Sequence, residues 1–301
     1  MSGPALVAVT GASGFIGRNL CLRLARAGLR VHALVRDPRA LPPSLDVPSI
    51  RAFEADLPER LEREALAGAQ VVIHCAYATR ETDLERARRI NEAGTRLVLD
   101  ASRAAGVPCF AFLSSQSAHE DAASYYGRSK LALERLLSLE RDLIVRPGLV
   151  LGRGGAGLFE RMCDWVRGAR IVPLFGGGRQ PLQTVLIDDL TDAILAAVSG
   201  RLAGRFTVAD PQPIELGVFL RLLAERLGAR PAFVPLPLRP TLLALEALEA
   251  LGLRLPAGSE NLRGLARMRA DSTLEDLARL GVRVRSARES LDALWPRAGS
   301  I

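Results

Sequence analysis

Tyr126 and Lys130 stand four residues apart in the stretch YYGRSK, and Lys130 is the only lysine in the chain of 301 residues; the other 39 of its 40 Lys and Arg are arginine. On a helix this spacing places both side chains on one face, one turn apart. An ammonium at about 4 Å from a phenol whose reference pKa is about 10 favours the phenolate by about 4 kcal/mol at an effective dielectric near 20. The chemistry expected of the pair is proton exchange between Tyr126 and a substrate oxygen near neutral pH. Arginine does not replace Lys130 in that task, because its planar guanidinium does not present a compact point charge. Tyr125 has Ser129 at the same spacing and no cation, so Tyr126 is the residue assigned. Ser115, eleven residues upstream at the end of the apolar run CFAFLSS, offers a hydroxyl that can hold the substrate oxygen and stabilise charge developing on it.

A second constellation lies at the N-terminal end. The run LVAVT leads into TGASGFIGRN, with Gly11, Gly14 and Gly17 spaced three apart, Phe15 and Ile16 between the last two, and a helical pattern beginning at once. Glycines at this spacing permit a sharp turn, close approach of a pyrophosphate to the backbone, and tight packing of helix on strand, while the helix N-terminus offers free N–H groups. The spacing predicts dinucleotide binding. The next apolar run, RVHALV, ends in Arg36 and then Asp37. An acidic residue there suits the ribose 2′-OH of NAD, and an arginine suits the 2′-phosphate of NADP. Arg36 comes first, so NADP(H) is favoured over NAD(H).

The elements that must position these groups alternate between strand-length apolar runs and helix-period segments: LVAVT, RNLCLRLARAG, RVHALV, a short strand near Ile50 to Phe53, VVIHCA, a helix from about Thr82 to Ala105, CFAFLSS, a helix from Tyr126 to Ser138, and LIVRPGLV. Buried parallel strands read as continuous apolar runs, so the pattern predicts an α/β fold. The expectation is a Rossmann doubly wound parallel sheet with a smaller, mostly helical C-terminal substrate lobe. Residues 1–151 form the dinucleotide-binding domain in this reading, 184–210 return to it, and 152–183 with 211–301 form the lobe. Gly- and Pro-rich stretches such as PLFGGGRQP and VPLPLRP punctuate the lobe, and its leucines suggest an apolar pocket wall.

Composition narrows the partners. The formal charge is +7, but the arginines are spread along helical patterns beside glutamates, as in ERLEREAL, and form no concentrated basic face. No nucleic-acid partner is expected. Cys21, Cys75, Cys109 and Cys163 lie far apart in apolar runs without ligand spacing, which predicts buried, reduced thiols, no metal site and a cytoplasmic protein. The run TLLALEALEALGLRL from Thr241 is too short to span a bilayer and carries Glu246 and Glu249, so no integral membrane segment is expected. His32 and His74 read as core histidines, and His119 as a polar loop residue.

Together TGASGFIG, the serines of FLSSQSA, YGRSK and VRPGLV resemble the short-chain dehydrogenase/reductase superfamily, and the length with TVLIDDLTDAI resembles its extended and atypical, NAD-dependent epimerase/dehydratase-like members. The resemblance implies that Ser115, Tyr126 and Lys130 form a catalytic triad, with Lys130 also holding the nicotinamide ribose. It implies further that Asp56 and Leu57 flank the adenine, that Ala76 lies along the cofactor, that Pro147 to Val150 border the nicotinamide, and that Asn91 opens the helix behind the site. Its implied activity is NAD(P)-dependent hydride transfer between nicotinamide and a carbonyl or secondary alcohol of a small molecule, with Tyr126 as proton donor or acceptor. The alternatives are an epimerase or dehydratase using bound cofactor, and a non-catalytic NADP(H)-binding sensor or structural protein. Relatives often dimerise through the helices carrying Asn91 and Tyr126, so the resemblance admits a homodimer, although chain-level patterns do not fix the assembly. Leu182 replaces an arginine that sugar-nucleotide epimerases use for the diphosphate, and Gln116-Ser117 stands where dehydratases carry Asp-Glu. Both departures turn the reading toward a reductase.

Overall fold

The apolar runs become strands in a computed structural model that describes residues 5–79, 81, 83–155, 157–251 and 259–296. The strands are β1 (Leu6–Thr10), β2 (Arg30–Val35), β3 (Ile50–Glu54), β4 (Val71–His74), β5 (Cys109–Leu113), β6 (Leu143–Pro147), β7 (Leu149–Leu151), β8 (Ile171–Phe175), β9 (Pro181–Leu182), β10 (Thr184–Leu186), β11 (Gly204–Val208), β12 (Ile214–Glu215) and β13 (Ala232–Leu236). Seven of them form one parallel sheet in the order β11-β6-β5-β4-β1-β2-β3. The chain starts at β1, moves outward to β3, then crosses back to β4 on the other side of β1. Loops leaving β1 and β4 therefore diverge, and a crevice opens at that switch point.

The helices are α1 (Phe15–Arg26), α2 (Leu84–Arg88), α3 (Gly94–Ala104), α4 (Tyr125–Glu134), α5 (Leu158–Gly168), α6 (Ile187–Ser199), α7 (Leu216–Leu227), α8 (Leu238–Ala250), α9 (Ser259–Ala266), α10 (Leu274–Leu280) and α11 (Ala287–Leu294). Alternate residues of β1 enter opposite cores. Val7 and Val9 pack with Leu20 and Leu24 of α1 and Ile194 of α6, whereas Leu6 and Ala8 pack with Val98 and Leu99 of α3 and with Leu133 of α4. Both faces of the sheet are covered, which explains the unbroken apolar character of its strands. A third core joins Phe159 and Cys163 of α5, Phe219 and Leu223 of α7, and Leu291 of α11 into the smaller lobe.

Three boundaries differ from the sequence expectation. Thr82 lies outside the described residues, and the segment up to Ala104 is α2, one π turn over Arg89–Ala93, and α3. The π turn sits where Asn91 is drawn toward the sheet: its Oδ1 accepts the Ala78 N–H at 2.7 Å, and its carbonyl accepts the Thr95 hydroxyl at 2.6 Å. LIVRPGLV divides into β6 and β7 at Gly148, where a side chain would be driven into the Gln183 carbonyl; β7 leaves the large sheet and pairs with β10. α4 begins at Tyr125 because the Ser124 hydroxyl caps it, accepting the Gly127 N–H at 3.2 Å, and it ends at Glu134. Among the described residues, no helix is long and apolar enough to cross a membrane.

Candidate active site

Gly11 turns the chain at the end of β1 with φ +65°, and the Gly14 N–H donates to its carbonyl at 2.9 Å. A Cβ on Gly11 would lie 2.7 Å from the backbone of Ala76, and one on Gly17 would collide with the Gly11 carbonyl. The three glycines thus let α1 approach β1 and β4 more closely than any side chain permits. No side chain caps α1 and no acid stands in its first turn, so its own residues leave the N-terminal amides free. This cradle fits a dinucleotide pyrophosphate, which needs donors and no Cβ in the way.

Gly11, Gly14, Phe15, Ile16 and Gly17 border one cleft of about 2520 Å³. Arg36, Asp56, Leu57, Ala76 and Pro147 border it too, as do Ser115, Tyr126 and Lys130, whereas Asp37 and Asn91 are not on its lining. Pockets for single small ligands run to about 300–1,000 Å³, so this cleft accommodates a dinucleotide and a second molecule. The walls away from the glycine turn carry an apolar stretch of Met162, Trp165, Leu220, Leu245, Leu265 and Met268, with Arg161, Arg267 and Arg269 also on the lining.

At the reactive end, the Ser115 hydroxyl accepts the Ser117 N–H at 3.1 Å and also bonds to the Tyr126 phenol. The Tyr77 ring meets Tyr126 edge-on, with centroids 5.3 Å apart and planes at 86°. Lys130 is buried, and its ammonium donates to the Leu113 carbonyl at 2.6 Å. It lies 4.1 Å from the Tyr77 ring centroid, 4.6 Å from that of Phe112, and 6.0 Å from that of Tyr126. Burial raises the Tyr126 pKa, and the bond to Ser115 opposes that shift only in part. This corrects the sequence expectation of a phenol depressed by a direct ammonium contact. The i, i+4 spacing does bring the two together, but the strand-end carbonyl and the Tyr77 face capture the ammonium, and desolvation dominates the phenol.

The same desolvation lowers the Lys130 pKa to about 7, with Cys75 and Glu134 pulling it upward. The unfolded lysine keeps its proton to about pH 10.4, so over that interval the unfolded chain binds more protons and stability rises with pH. The cost of the buried charge is fully present below about pH 7 and is relieved as pH climbs toward 10. Lys130→Met is therefore expected to raise the melting temperature of the ligand-free protein by several degrees at about pH 6, and the gap should close near pH 10. A pH series of thermal melts checks this; a gap independent of pH would contradict it.

Supporting residues hold these groups from behind. Glu134, one turn beyond Lys130, accepts both arms of the Arg146 guanidinium at 2.7 and 2.6 Å and also the Ser114 hydroxyl. This buried cluster ties α4 to β6 and to the segment that carries Ser115. Behind β4 runs a chain of hydroxyls and imidazole: Thr10 Oγ1 lies 2.7 Å from His74 Nδ1, and His74 Nε2 lies 2.9 Å from Thr95 Oγ1. Thr95 donates its own proton to the Asn91 carbonyl, so His74 carries hydrogen on Nε2 and accepts from Thr10. Burial and the charge of Lys130 push the His74 pKa down to about 3, which keeps it a neutral core residue as read from sequence. His32 lies 2.7 Å from the Ala65 carbonyl. His119 is buried at the cleft wall, its pKa lowered by burial and Arg269.

Sequence reasoning did not single out Tyr77, Glu134 with Arg146, or Gln183 as site residues. The Gln183 amide joins Gln116, beside Ser115, at 2.8 Å to the Asp210 and Asp271 carbonyls at 2.9 and 3.0 Å. Only the i, i+4 relation of Glu134 to Lys130 was available as a signal.

A seven-stranded parallel sheet with a glycine cradle at its switch point defines a Rossmann-type dinucleotide enzyme. The chain belongs to the NAD dependent epimerase/dehydratase family, whose model matches residues 7–207. It is similar to a ceramide reductase of Caulobacter vibrioides, 31% identical over 77% of this chain and 74% of that protein. It is also similar to a 4-hydroxy-2-methyl-3-oxo-4-farnesyl-3,4-dihydroquinoline-1-oxide ketoreductase of Stigmatella aurantiaca, 27% identical over 81% of this chain and 79% of that protein. The chain spans 66–79% of the length of the first three curated relatives it matches. The structure of MoeE5 in complex with UDP-glucose and NAD shares the fold, with a TM-score of 0.72 and 23% identity over 96% of each chain.

Proposed function

We propose that the chain reduces a carbonyl on an apolar small molecule to the alcohol, with NADPH as the reductant. The observation that carries this reading is the placement of the Ser115 and Tyr126 hydroxyls in one cleft, between the glycine cradle and a wall of leucine, methionine and tryptophan. In this reading residues 1–151 with 184–210 hold the dinucleotide, and 152–183 with 211–301 enclose the substrate. Bound NADPH supplies the hydride that the carbonyl carbon accepts. Ser115 holds the carbonyl oxygen, and Tyr126 gives that oxygen its proton as the C=O bond becomes an alcohol C–OH. A raised pKa keeps Tyr126 protonated at neutral pH, which suits a donor. Lys130 supplies the nearby positive charge for the phenolate left behind. Two relatives whose names record reduction of large apolar molecules support this reading. So does Leu182, buried in the cleft wall at the position where the resemblance to sugar-nucleotide epimerases would put an arginine.

The cofactor assignment rests on the end of β2. Arg36 is exposed and borders the cleft, whereas the Asp37 carboxylate accepts the Arg39 N–H at 2.9 Å and caps the turn Pro38–Ala40. The aspartate is engaged locally and the arginine is available to a 2′-phosphate. A charge-assisted contact contributes about 1.5–3 kcal/mol, so Arg36→Ala is expected to weaken NADPH binding about 10–100-fold and to leave NADH nearly unchanged. Calorimetric titration with both dinucleotides decides it, and equal losses for the two would remove the assignment. The function itself is tested with a panel of ketones of graded apolarity, read as NADPH consumption. Consumption only with nucleotide sugars would replace the reading.

A further inference from the structure

Helix α8 carries its apolar side outward. Leu243, Ala244, Ala247, Leu248 and Leu251 are exposed, the three leucines at 67%, 37% and 77%, and no residue of α8 is buried. At 100° per residue these positions share one arc of roughly 140°. The charges of the helix lie off that arc: Glu246 faces α9 and pairs with Arg263 at 2.6 Å, and Glu249 is partly buried. Next to the arc, Thr241 and Leu245 line the active-site cleft. The exposed arc thus adjoins residues of the same helix that line the cavity. On the same cleft, α5 presents Leu158 and Trp165, both exposed, with the exposed Arg161 between them.

Apolar positions exposed in this way, on a helix bordering a cleft whose lining also includes the exposed Trp165 and Arg161 of α5, suit a helix lying in a bilayer interface. The net charge of +7 adds attraction to an anionic surface. A second copy of the chain is a poorer fit. One face of a thirteen-residue helix is about 20 Å long and about 10 Å wide, or about 200 Å², against about 800 Å² per partner in a stable interface.

We propose that the outer face of α8 docks on an anionic lipid bilayer and that the substrate carbonyl enters the cleft from the lipid. The second half rests on the reading of the cleft as a site for an apolar carbonyl; the first half does not. The full chain is sedimented with phosphatidylcholine vesicles, with and without phosphatidylglycerol, beside Leu243→Glu/Leu248→Glu. Both residues lie outside the cleft lining. Burial of each leucine is worth about tenfold in binding, so the double variant is expected to lose about a hundredfold in affinity for the anionic vesicles. Its melting temperature and its turnover of a short, water-soluble ketone should stay at the wild-type values. If the double variant melts early, Leu251→Glu at the end of the helix replaces it. Absence of wild-type co-sedimentation, equal co-sedimentation of the variants, or a dimer in light scattering that the substitutions abolish overturns the proposal. Vesicle binding without turnover of any ketone upholds the docking and overturns the carbonyl reading.

Discussion

Tyr126→Phe is expected to lower kcat for ketone reduction by about 10²–10⁴-fold, the usual contribution of a positioned general acid. The phenylalanine ring keeps the edge-on contact with Tyr77 and loses only the hydroxyl that bonds to Ser115. Affinity for NADPH should therefore change little, which separates loss of the proton donor from loss of the site. The pH profile adds a second test. Burial brings the Lys130 pKa down to about 7, and in the proposed reduction its ammonium is the nearby positive charge for the phenolate formed when Tyr126 gives up its proton. In the free enzyme, kcat/KM for reduction is then expected to fall as pH rises through about 7. Wild-type turnover by Tyr126→Phe would eliminate the assigned donor, and a profile flat on the alkaline side would eliminate the role of the lysine charge.

The largest stability effect is expected at Glu134→Ala. Removing it leaves the Arg146 guanidinium buried without its two bonds and the Ser114 hydroxyl without its acceptor. Breaking one side of a buried pair typically costs about 3–5 kcal/mol, equivalent to a drop of roughly 5–8 °C in melting temperature for a chain of this size. The exposed pair Arg135–Glu120, also on the α4 side, is the control, because solvent-exposed pairs contribute about 0–1 kcal/mol. Arg135→Ala should melt close to the wild type. Glu134 also sets where α4 sits against β5 and β6, so Glu134→Ala is expected to reduce kcat below its folding midpoint as well. Equal melting temperatures for Glu134→Ala and Arg135→Ala would show that the cluster does not anchor the helix.

Much of the site was legible before the fold was known, because its chemistry is local in sequence. The glycine spacing works within one strand-turn-helix, and YYGRSK works within one helical turn, so periodicity alone placed Gly11, Gly17, Tyr126 and Lys130 on the right elements. The partners that adjust those groups come from far away. Tyr77 reaches Lys130 across 53 residues, Arg146 reaches Glu134 across 12, and Gln183 joins Gln116 to Asp271 across 67 and 88. Nothing in the local pattern announced them. The short strand β7 and the π turn at Asn91 were hidden for the same reason, since each is a departure from regular geometry driven by contacts with a distant segment.

The sequence by itself determined the doubly wound α/β class, and it nominated the glycine turn and the Ser115, Tyr126 and Lys130 group that the fold brings to one cleft. Each depends on residue type and spacing, which hold whatever the rest of the chain does. Only the tertiary structure decided the electrostatics of that group. Whether an ammonium lowers a phenol's pKa depends on where its proton points and how much water remains, and here the Leu113 carbonyl and the Tyr77 ring claim Lys130 while burial raises Tyr126. The tertiary structure also decided which side of α8 meets the outside, because an apolar stripe has the same sequence pattern whether it covers a core or faces away from one.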